Sequence, residues 1–308
     1  MCIGVFIRMP QFNNDYKSNY VKGKDNWSAS RISTYRQCPL KYYYTYVKKW
    51  RCSKAPDDEA ARKGTVIHET VEKYYTGEPK DKVFARLEEK AKEYNIDLEK
   101  YDERSGIERF FLFWDEFVAK RELTGFKVIQ EGWVSGDCGG ERFVGALDLC
   151  LDRGDKVIIF DYKSGKTPSI SKYKEQLLLY AYLRGQERGW DFEQTAENVK
   201  LYLFFPMSEQ KTAVTPEDKM LASVKEVKYD ANNLRDCINE YLKTIREIQA
   251  HNWEEEDLDA LGCPDFVCKW CEHQGGNPNS DGYKGCKASR DLGHTQERFV
   301  TYHLKESN

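Results

Sequence analysis

The stretch from residue 145 to residue 163 constrains the fold of this chain more than any other part of its sequence. Two runs rich in β-branched and aromatic residues, 141–151 and 156–163, flank a turn made of Asp152-Arg-Gly-Asp155. Short apolar runs on either side of a Gly/Asp turn predict an antiparallel β-hairpin. Because side chains alternate between the two faces of a strand, Asp161 and Lys163 should share a face.

The centre of the turn decides where Asp148 lies relative to Asp161. A turn centred on Arg153-Gly154 pairs Asp148 with Ile159 and Asp161 with Ala146. The two aspartates are then diagonal neighbours on one face, roughly 7–8 Å apart at the backbone. A loop one residue longer would send them to opposite faces, so their convergence depends on this register.

The rest of the chain changes from helical to strand periodicity and back. Helical spacing covers 28–50, 58–75, 80–94, 102–120, 171–189 and 231–251, and strand spacing covers 126–134, 141–151, 156–163 and 199–205. Helices, a β-meander, and then helix, strand and helix indicate an α/β or α+β domain. We predict an N-terminal extension over 1–27, a principal domain over 28–262 with a helical insertion at about 76–122, and a cysteine-rich tail over 263–308.

Composition narrows the classes of protein that fit this pattern. Of the 308 residues 40% are hydrophobic, enough for one large core, and the formal net charge of -3 excludes a wholly basic protein that coats nucleic acid. No apolar run reaches the roughly 18 to 20 residues of a membrane helix. The short opening run ends at Arg8 without a cleavage site. We therefore expect a cytoplasmic protein whose ten cysteines are ligands or buried side chains rather than a disulfide framework.

The acidic pair and the lysine of the hairpin indicate a chemistry. Two converging carboxylates favour a hard divalent cation such as Mg²⁺ or Mn²⁺. Lys163 can stabilise charge that develops on a phosphate or orient an attacking water. Phosphodiester hydrolysis requires activation of a water molecule and neutralisation of charge on the scissile phosphate, and a metal ion beside a lysine ammonium can supply both. The alternative is an edge hairpin with solvated charges, which the apolar run Val157-Ile-Ile-Phe before Asp161 disfavours.

Several motifs resemble those of one nuclease superfamily. Gly145-Ala-Leu-Asp148, a hairpin and Asp161-Tyr-Lys163 are similar to the signature of the PD-(D/E)XK nucleases, with Asp where many members have Glu. Three further motifs resemble the RecB/AddB-like branch, which includes the CRISPR adaptation nucleases. They are Ser30-Arg-Ile-Ser-Thr-Tyr35 followed by Cys38-Pro39, Gly64-Thr-Val-Ile-His68, and Gln176-Leu-Leu-Leu-Tyr180. The matches follow the order usual in that branch.

The resemblance implies both a fold and a metal site. The fold is a restriction-endonuclease-like core, a mixed central β-sheet flanked by helices, with a helical N-terminal region and the cysteine-rich tail. The metal ligands are His68, Asp148, Asp161 and the carbonyl of Tyr162, and Lys163 is the catalytic lysine.

The same resemblance assigns a place to Gln176 and Tyr180. These residues are four apart and therefore share one face of a helix. The family likeness puts them near the active site or the DNA backbone. Packing of this helix face into the core is the alternative.

The cysteines near the end of the chain allow two kinds of site. From spacing alone, Cys263, Cys268, Cys271 and Cys286 could hold zinc as a local knuckle. The resemblance implies instead a 4Fe-4S cluster bound by Cys38, Cys268, Cys271 and Cys286, which would join the two ends of the domain. The long interval before Cys286 leaves Cys263 as an alternative fourth ligand.

The segment 31–54 interleaves basic and aromatic side chains and has two interpretations. Its basic residues could neutralise phosphates while its aromatic rings stack on unpaired bases. Alternatively, tyrosines at helical spacing pack inward and their charged neighbours face water. No motif that reads bases is present, so we expect cleavage that does not depend on sequence.

Together these observations predict a metal-dependent DNA nuclease. We expect an exonuclease that acts on single-stranded or end-bearing DNA in recombination, repair or replication. The sequence has no phosphate loop of the helicase type, so any unwinding would belong to a helicase or recombination partner. The alternatives are a structure-specific or flap endonuclease with the same site, and a non-catalytic nucleic-acid-binding module with a zinc-held tail.

Overall fold

The chain forms two compact units. A computed structural model describes residues 26–52, 59–71, 74, 78–101, 103–118, 125–166, 168–208, 213–254, 261, 271 and 302–304. Contacts group Asn26 with the described residues of 59–237 in a larger unit, and the described residues of 27–58 with those of 238–308 in a smaller one. The predicted boundaries of extension, principal domain and tail stay predictions, because residues 1–25 and most of the tail lie outside the described residues.

The described residues contain both helices and strands. The α-helices are α1 (Ala29–Gln37), α2 (Pro39–Tyr42), α3 (Glu59–Val71), α4 (Lys80–Glu93), α5 (Leu98–Tyr101), α6 (Glu103–Leu112), α7 (Ile170–Glu187), α8 (Phe192–Asn198), α9 (Pro216–Ser223) and α10 (Ala231–Ala250). Two π-helical segments, Tyr43–Val47 and Phe113–Val118, extend α2 and α6. The strands are β1 (Trp50–Cys52), β2 (Lys127–Cys138), β3 (Glu141–Asp152), β4 (Val157–Tyr162), β5 (Val199–Phe204), β6 (Val224–Glu226) and β7 (Tyr302–Leu304).

A mixed sheet of five strands, in the order β2-β3-β4-β5-β6, forms the centre of the larger unit. Strands β2, β3 and β4 make an antiparallel meander, β5 runs parallel to β4, and β6 runs antiparallel to β5. A parallel pair needs a crossover connection, which α7 and α8 supply. The predicted architecture, a mixed central sheet flanked by helices, is confirmed.

The apolar core of the larger unit sets the direction of the β4 side chains. Phe160 and Tyr162 belong to the same buried cluster as residues of α3, α4 and α6. The ring of Phe113 stacks on that of Phe204 in this cluster, with centroids 4.5 Å apart. Because side chains alternate along a strand, Asp161 points to the opposite face, where α7 packs against β4.

The β3–β4 hairpin has a different register from the one that the turn predicts. The structure pairs Cys150 with Ile159 and ends the ladder at Asp152 and Val157, so the predicted pairing of Asp148 with Ile159 is wrong by two residues. The turn is longer than predicted because the side chain of Asp152 accepts a hydrogen bond from the backbone N–H of Gly154, whose φ is 97°.

This correction preserves the convergence of the acidic pair. A shift of two residues keeps every side chain on its face, whereas a shift of one would reverse it. The observed ladder reaches Leu149 opposite Phe160. Asp148 and Asp161 are the next residues beyond this last pair, and they are close enough for the charge of Asp148 to act on Asp161.

In the smaller unit, the predicted helix over 28–50 is broken. Helix α1 ends at Gln37, Cys38 is extended with φ of -162°, and Pro39 opens α2. Proline has no N–H to continue the hydrogen bonds of α1, and its ring restricts the preceding residue to extended conformations.

The tyrosines that follow this break are core residues. Tyr42, Tyr43 and Tyr44 are buried, and the indole of Trp253 stacks on the first two with ring centroids 5.8 and 5.7 Å apart. This burial supports the interpretation in which the aromatic residues of 31–54 pack inward rather than stack on bases.

The remaining predicted elements agree with the structure to within a few residues, except that strand β2 extends four residues beyond the predicted 126–134. Helices α5, α8 and α9 and strands β1, β6 and β7 were not predicted. None of the helices in the described segments has the length and apolar character needed to cross a bilayer.

Candidate active site

His68, Asp148, Asp161 and Lys163 come from three neighbouring parts of the larger unit. His68 lies on α3, Asp148 on β3 and Asp161 on β4, and Lys163 follows β4 directly. Strands β3 and β4 have left their regular pairing here, and the backbone N–H of Tyr162 donates to Oδ2 of Asp148 at 2.6 Å. The carboxylate of Asp148 therefore takes the place of the backbone carbonyl that would accept this hydrogen bond in a regular ladder.

The side chain of Asp148 lies near two other possible metal ligands, His68 and Glu131. Nδ1 of His68 lies 3.8 Å from Oδ1 of Asp148. One ligand atom from each of His68, Glu131 and Asp148 lies within 4.8 Å of the other two. Two carboxylates and one imidazole at this spacing could hold one divalent cation.

Glu131 was not among the site residues predicted from the sequence. It lies on β2, and its φ of 43° is in the left-handed region, an uncommon conformation for a residue other than glycine. Such strain is found at functional sites more often than elsewhere. The available sequence signal was a lone carboxylate in the apolar run Val128-Ile-Gln-Glu-Gly-Trp-Val134.

The ammonium group of Lys163 lies against the carboxylate of Asp161. Its Nζ is 2.6 Å from Oδ2 of Asp161, which is 3% exposed. The same Nζ is 3.5 Å from Oε1 of Gln176 and 4.5 Å from the ring centroid of Tyr173. The ammonium is thus held between a buried carboxylate, an amide oxygen and an aromatic face.

Gln176 and Tyr180 form the α7 side of the site. Nε2 of Gln176 donates to the hydroxyl of Tyr180 at 2.6 Å, and Tyr180 is buried. A Cβ at Gly145 would clash with the ring of Tyr180, so the glycine of the Gly145-Ala-Leu-Asp148 motif leaves the space that this ring occupies. The structure brings both predicted residues to the site, and Tyr180 is also packed into the core.

Burial determines the proton affinities of the acidic groups. Burial raises the pKa of Asp148 to about 6. Burial, and then the neighbouring charge of Asp148, raises the pKa of Asp161 to about 6 as well. A nearby positive charge favours ionisation of a carboxyl, so a cation at this site would oppose both shifts.

His68 and Tyr162 complete the metal-facing side. Burial lowers the pKa of His68, which favours the neutral imidazole that can act as a ligand. The backbone of Tyr162 lies near enough to the imidazole to oppose this shift in part, because it raises the pKa of His68. The Tyr162 carbonyl, predicted as a ligand from the resemblance, is therefore close to the imidazole. The donor set fits a hard divalent cation.

The predicted iron-sulfur ligands are only partly within the described residues. Cys38 and Cys271 belong to the smaller unit, and both are buried. Cys263, Cys268 and Cys286 lie outside the described residues, so neither the cluster nor the zinc alternative is tested.

Comparison with known proteins identifies the family. A profile of the PD-(D/E)XK nuclease superfamily matches residues 26–275, which is most of the chain, and the chain therefore belongs to that superfamily. This membership supports a hydrolase of phosphodiester bonds that uses divalent metal. No protein of curated function matches the sequence.

Two solved structures are similar to this chain. A proposed exonuclease from Eubacterium rectale has 12% identity and a TM-score of 0.42 over 71% of this chain and 79% of its own. The protein SSO0001 has 12% identity and a TM-score of 0.33 over 82% of this chain and 86% of its own. At these TM-scores neither likeness carries an argument about function.

We expect divalent cations to stabilise the protein in a pH-dependent way. Burial raises the pKa of Asp148 and of Asp161 to about 6, so protonation of these carboxyls stabilises the folded state at low pH. This stabilisation is lost as the pH rises through about 6. Metal requires the ionised carboxylates. Mn²⁺ should therefore raise the Tm at about pH 8 and have little effect at about pH 5, with a gain of about 2.7 kcal/mol at a hundredfold excess over Kd.

Thermal unfolding with Mn²⁺ or with EDTA at both pH values measures this effect. Asp148→Asn should abolish the gain at the higher pH. Asp155→Asn, which changes an exposed carboxylate in the turn of the same hairpin, should keep it. An equal gain at both pH values, or an unchanged gain in Asp148→Asn, would contradict the assignment.

Proposed function

We propose that this chain is a DNA exonuclease of the RecB/AddB-like branch that degrades single-stranded or end-bearing DNA. One observation carries the catalytic part of the proposal. His68, Glu131 and Asp148 offer ligand atoms within 4.8 Å of one another, beside a lysine held on a buried aspartate. The ordered motif series supports the branch, and with it a role in recombination, repair or replication beside a helicase or recombination partner.

The proposed roles follow from the positions of the side chains. His68, Glu131 and Asp148 hold a Mg²⁺ or Mn²⁺ ion, with Asp161 and the carbonyl of Tyr162 on the same edge of the site. When bound, such a cation polarises the scissile phosphate and lowers the pKa of the attacking water.

Lys163 acts on the phosphate rather than on the metal. Its ammonium stabilises the negative charge that builds on the phosphate oxygens during attack by water. Asp161 and Gln176, at 2.6 and 3.5 Å from Nζ, hold the ammonium in position, and the hydroxyl of Tyr180 orients the amide of Gln176. Gln176 and Tyr180 therefore act as positioning residues in this proposal.

The proposed architecture includes an iron-sulfur cluster that closes the domain of residues 28–262. Cys38, Cys268, Cys271 and Cys286 are its ligands, with Cys263 as the alternative to Cys286. Two of them, Cys38 and Cys271, are buried in the same unit, as ligands of a structural cluster would be.

Metal analysis of anaerobically purified protein tests the cluster. We expect about four iron atoms per chain and broad absorbance near roughly 400 nm. Cys38→Ser should lose both, whereas Cys138→Ser, a change on β2 in the larger unit, should keep both. Colourless protein with stoichiometric zinc would support the zinc-held tail instead.

A degradation assay tests the catalytic proposal. End-labelled linear DNA, single- and double-stranded, is incubated with Mn²⁺ beside a closed circle. Wild type should degrade linear DNA from its ends and leave the circle intact. Lys163→Ala should lower the rate roughly 10²- to 10³-fold, the cost of losing one donor to developing charge, and Asp161→Ala should be at least as impaired.

Lys156→Ala is the matched control, because Lys156 is an exposed lysine in the turn of the same hairpin. It should degrade DNA at the wild-type rate. Equal degradation by all variants would refute the site. Cleavage of the circle would identify an endonuclease, and binding without cleavage by wild type would identify a non-catalytic module.

A further inference from the structure

The ring of Tyr173 on α7 lies against the lysine of the candidate active site. Nζ of Lys163 is 4.5 Å from the centroid of this ring. A cation over an aromatic face within about 6 Å of the centroid is attracted by the electrons of the ring. Tyr173 was not among the site residues predicted from the sequence, and the metal-ligand group gives it no role.

Helix α7 presents Tyr173 beside the two residues of this helix that were predicted. Tyr173, Gln176 and Tyr180 are three and four residues apart, the spacing of neighbours on one helical face. Oε1 of Gln176 lies 3.5 Å from Nζ of Lys163, and Nε2 of Gln176 donates to the hydroxyl of Tyr180. The three side chains therefore form a row along α7, and two of them reach the ammonium directly.

Both partners of the aromatic contact are fixed at the end of strand β5. The backbone N–H of Lys163 donates to the carbonyl of Phe204 at 2.9 Å, which extends the parallel pairing of β4 and β5. The next residue, Phe205, is buried, and its ring centroid lies 6.3 Å from that of Tyr173. The sheet therefore holds the backbone of the lysine and the aromatic ring near each other.

The described contacts of the ammonium differ in how they would respond to a divalent cation. Asp161 makes the shortest contact, at 2.6 Å, but it lies beside the proposed metal ligands, and its charge would act on a bound ion as well. Gln176, at 3.5 Å, is at the long limit of a hydrogen bond. An aromatic face attracts the ammonium without neutralising its charge. The contact with Tyr173 is therefore the one that a bound cation would change least.

We propose that Tyr173 is a positioning residue, whose ring holds the ammonium of Lys163 in place when a divalent cation occupies the site. The proposal rests on the proposed nuclease function and adds the residue that keeps its lysine in position. Because the ring leaves the positive charge uncompensated, that charge stays available to the phosphate oxygens in the transition state. The aromatic face is the required feature, and the hydroxyl of Tyr173 is not.

Substitutions that remove or keep the ring test this role in Mn²⁺-dependent cleavage of linear DNA. Tyr173→Leu should lower kcat about 2- to 30-fold, the change that corresponds to loss of one cation–π contact. The KM should change little, because the ring acts through Lys163 and not on the DNA. Tyr173→Phe keeps the aromatic face and should restore nearly the wild-type kcat.

Tyr182→Leu is the matched control. Tyr182 is a half-buried tyrosine of the same helix, and its ring stacks on that of Phe192. It lies about 13 Å along the helix axis from Tyr173. Loss of this ring removes a similar amount of aromatic packing from α7, so Tyr182→Leu should keep the wild-type kcat.

A double variant shows whether the ring acts through the lysine. In the slow background of Lys163→Ala, Tyr173→Leu should cause no further loss of kcat, whereas a general loss of packing would multiply the two effects. Nζ of Lys172 also lies 5.3 Å from the centroid of the Tyr173 ring. Lys172→Ala should keep the wild-type kcat, and a loss equal to that of Tyr173→Leu would show that the ring acts through Lys172 instead.

Nuclear magnetic resonance supplies a readout that does not need catalysis. Protons that lie over an aromatic face are shifted upfield by the ring current. The Cε–H resonance of Lys163, identified by its absence from Lys163→Arg, should be shifted upfield in wild type and in Tyr173→Phe. It should return to the usual lysine position in Tyr173→Leu. The upfield shift should persist in wild type when saturating Mg²⁺ is added.

The outcomes distinguish this role from the nuclease proposal. If wild type cleaves DNA but Tyr173→Leu keeps its kcat, or the double variant multiplies the losses, the positioning role is refuted and the nuclease stands. If the upfield shift is present and persists with Mg²⁺ but wild type cleaves nothing, the nuclease is refuted and the contact stands. Should Tyr173→Leu fail to fold, the wild-type resonance decides, and a Lys163 signal at the usual position with Mg²⁺ refutes the proposal.

Discussion

The burial of two adjacent carboxylates at the end of the β3–β4 ladder is the constraint on which the site depends. Asp148 and Asp161 face each other where the strands part, and burial raises the pKa of both. Burying a charge is costly unless it is paired, and here Tyr162 N–H, Lys163 and His68 surround the pair. The hairpin register and the left-handed backbone of Glu131 bring proposed metal ligands to this point, and the space left by Gly145 admits the positioning residue Tyr180.

The long helices and strands could be predicted from the sequence, and so could the face of the hairpin on which Asp148 and Asp161 lie. Local features that depend on one side chain could not be predicted. Asp148 and Asp161 were expected on one face, but the register was misplaced by two residues because the Asp152 side chain holds the turn open. Helices α8 and α9 were missed because capping boxes at Asp191 and Thr215 define them rather than apolar periodicity. Glu131 was missed because its role comes from pairing between strands, which a single strand does not reveal.

Membership in the PD-(D/E)XK superfamily and the geometry of the site support the same chemistry from independent directions. The family profile gives the class of reaction, and the group of His68, Glu131 and Asp148 gives the place in the fold where a divalent cation could bind. Strands β2 and β3 carry two of the proposed ligands, Glu131 and Asp148, and α3 carries the third, His68.

The position of a bound metal ion tests the central claim most directly. Crystals grown with Mn²⁺ and measured at the manganese absorption edge would show the ion as an anomalous difference peak. The account predicts a peak within about 2.5 Å of a His68 nitrogen and of oxygens from Glu131 and Asp148, beside Asp161. A peak that touches none of these residues, or a fully loaded protein whose ion lies elsewhere, would contradict it.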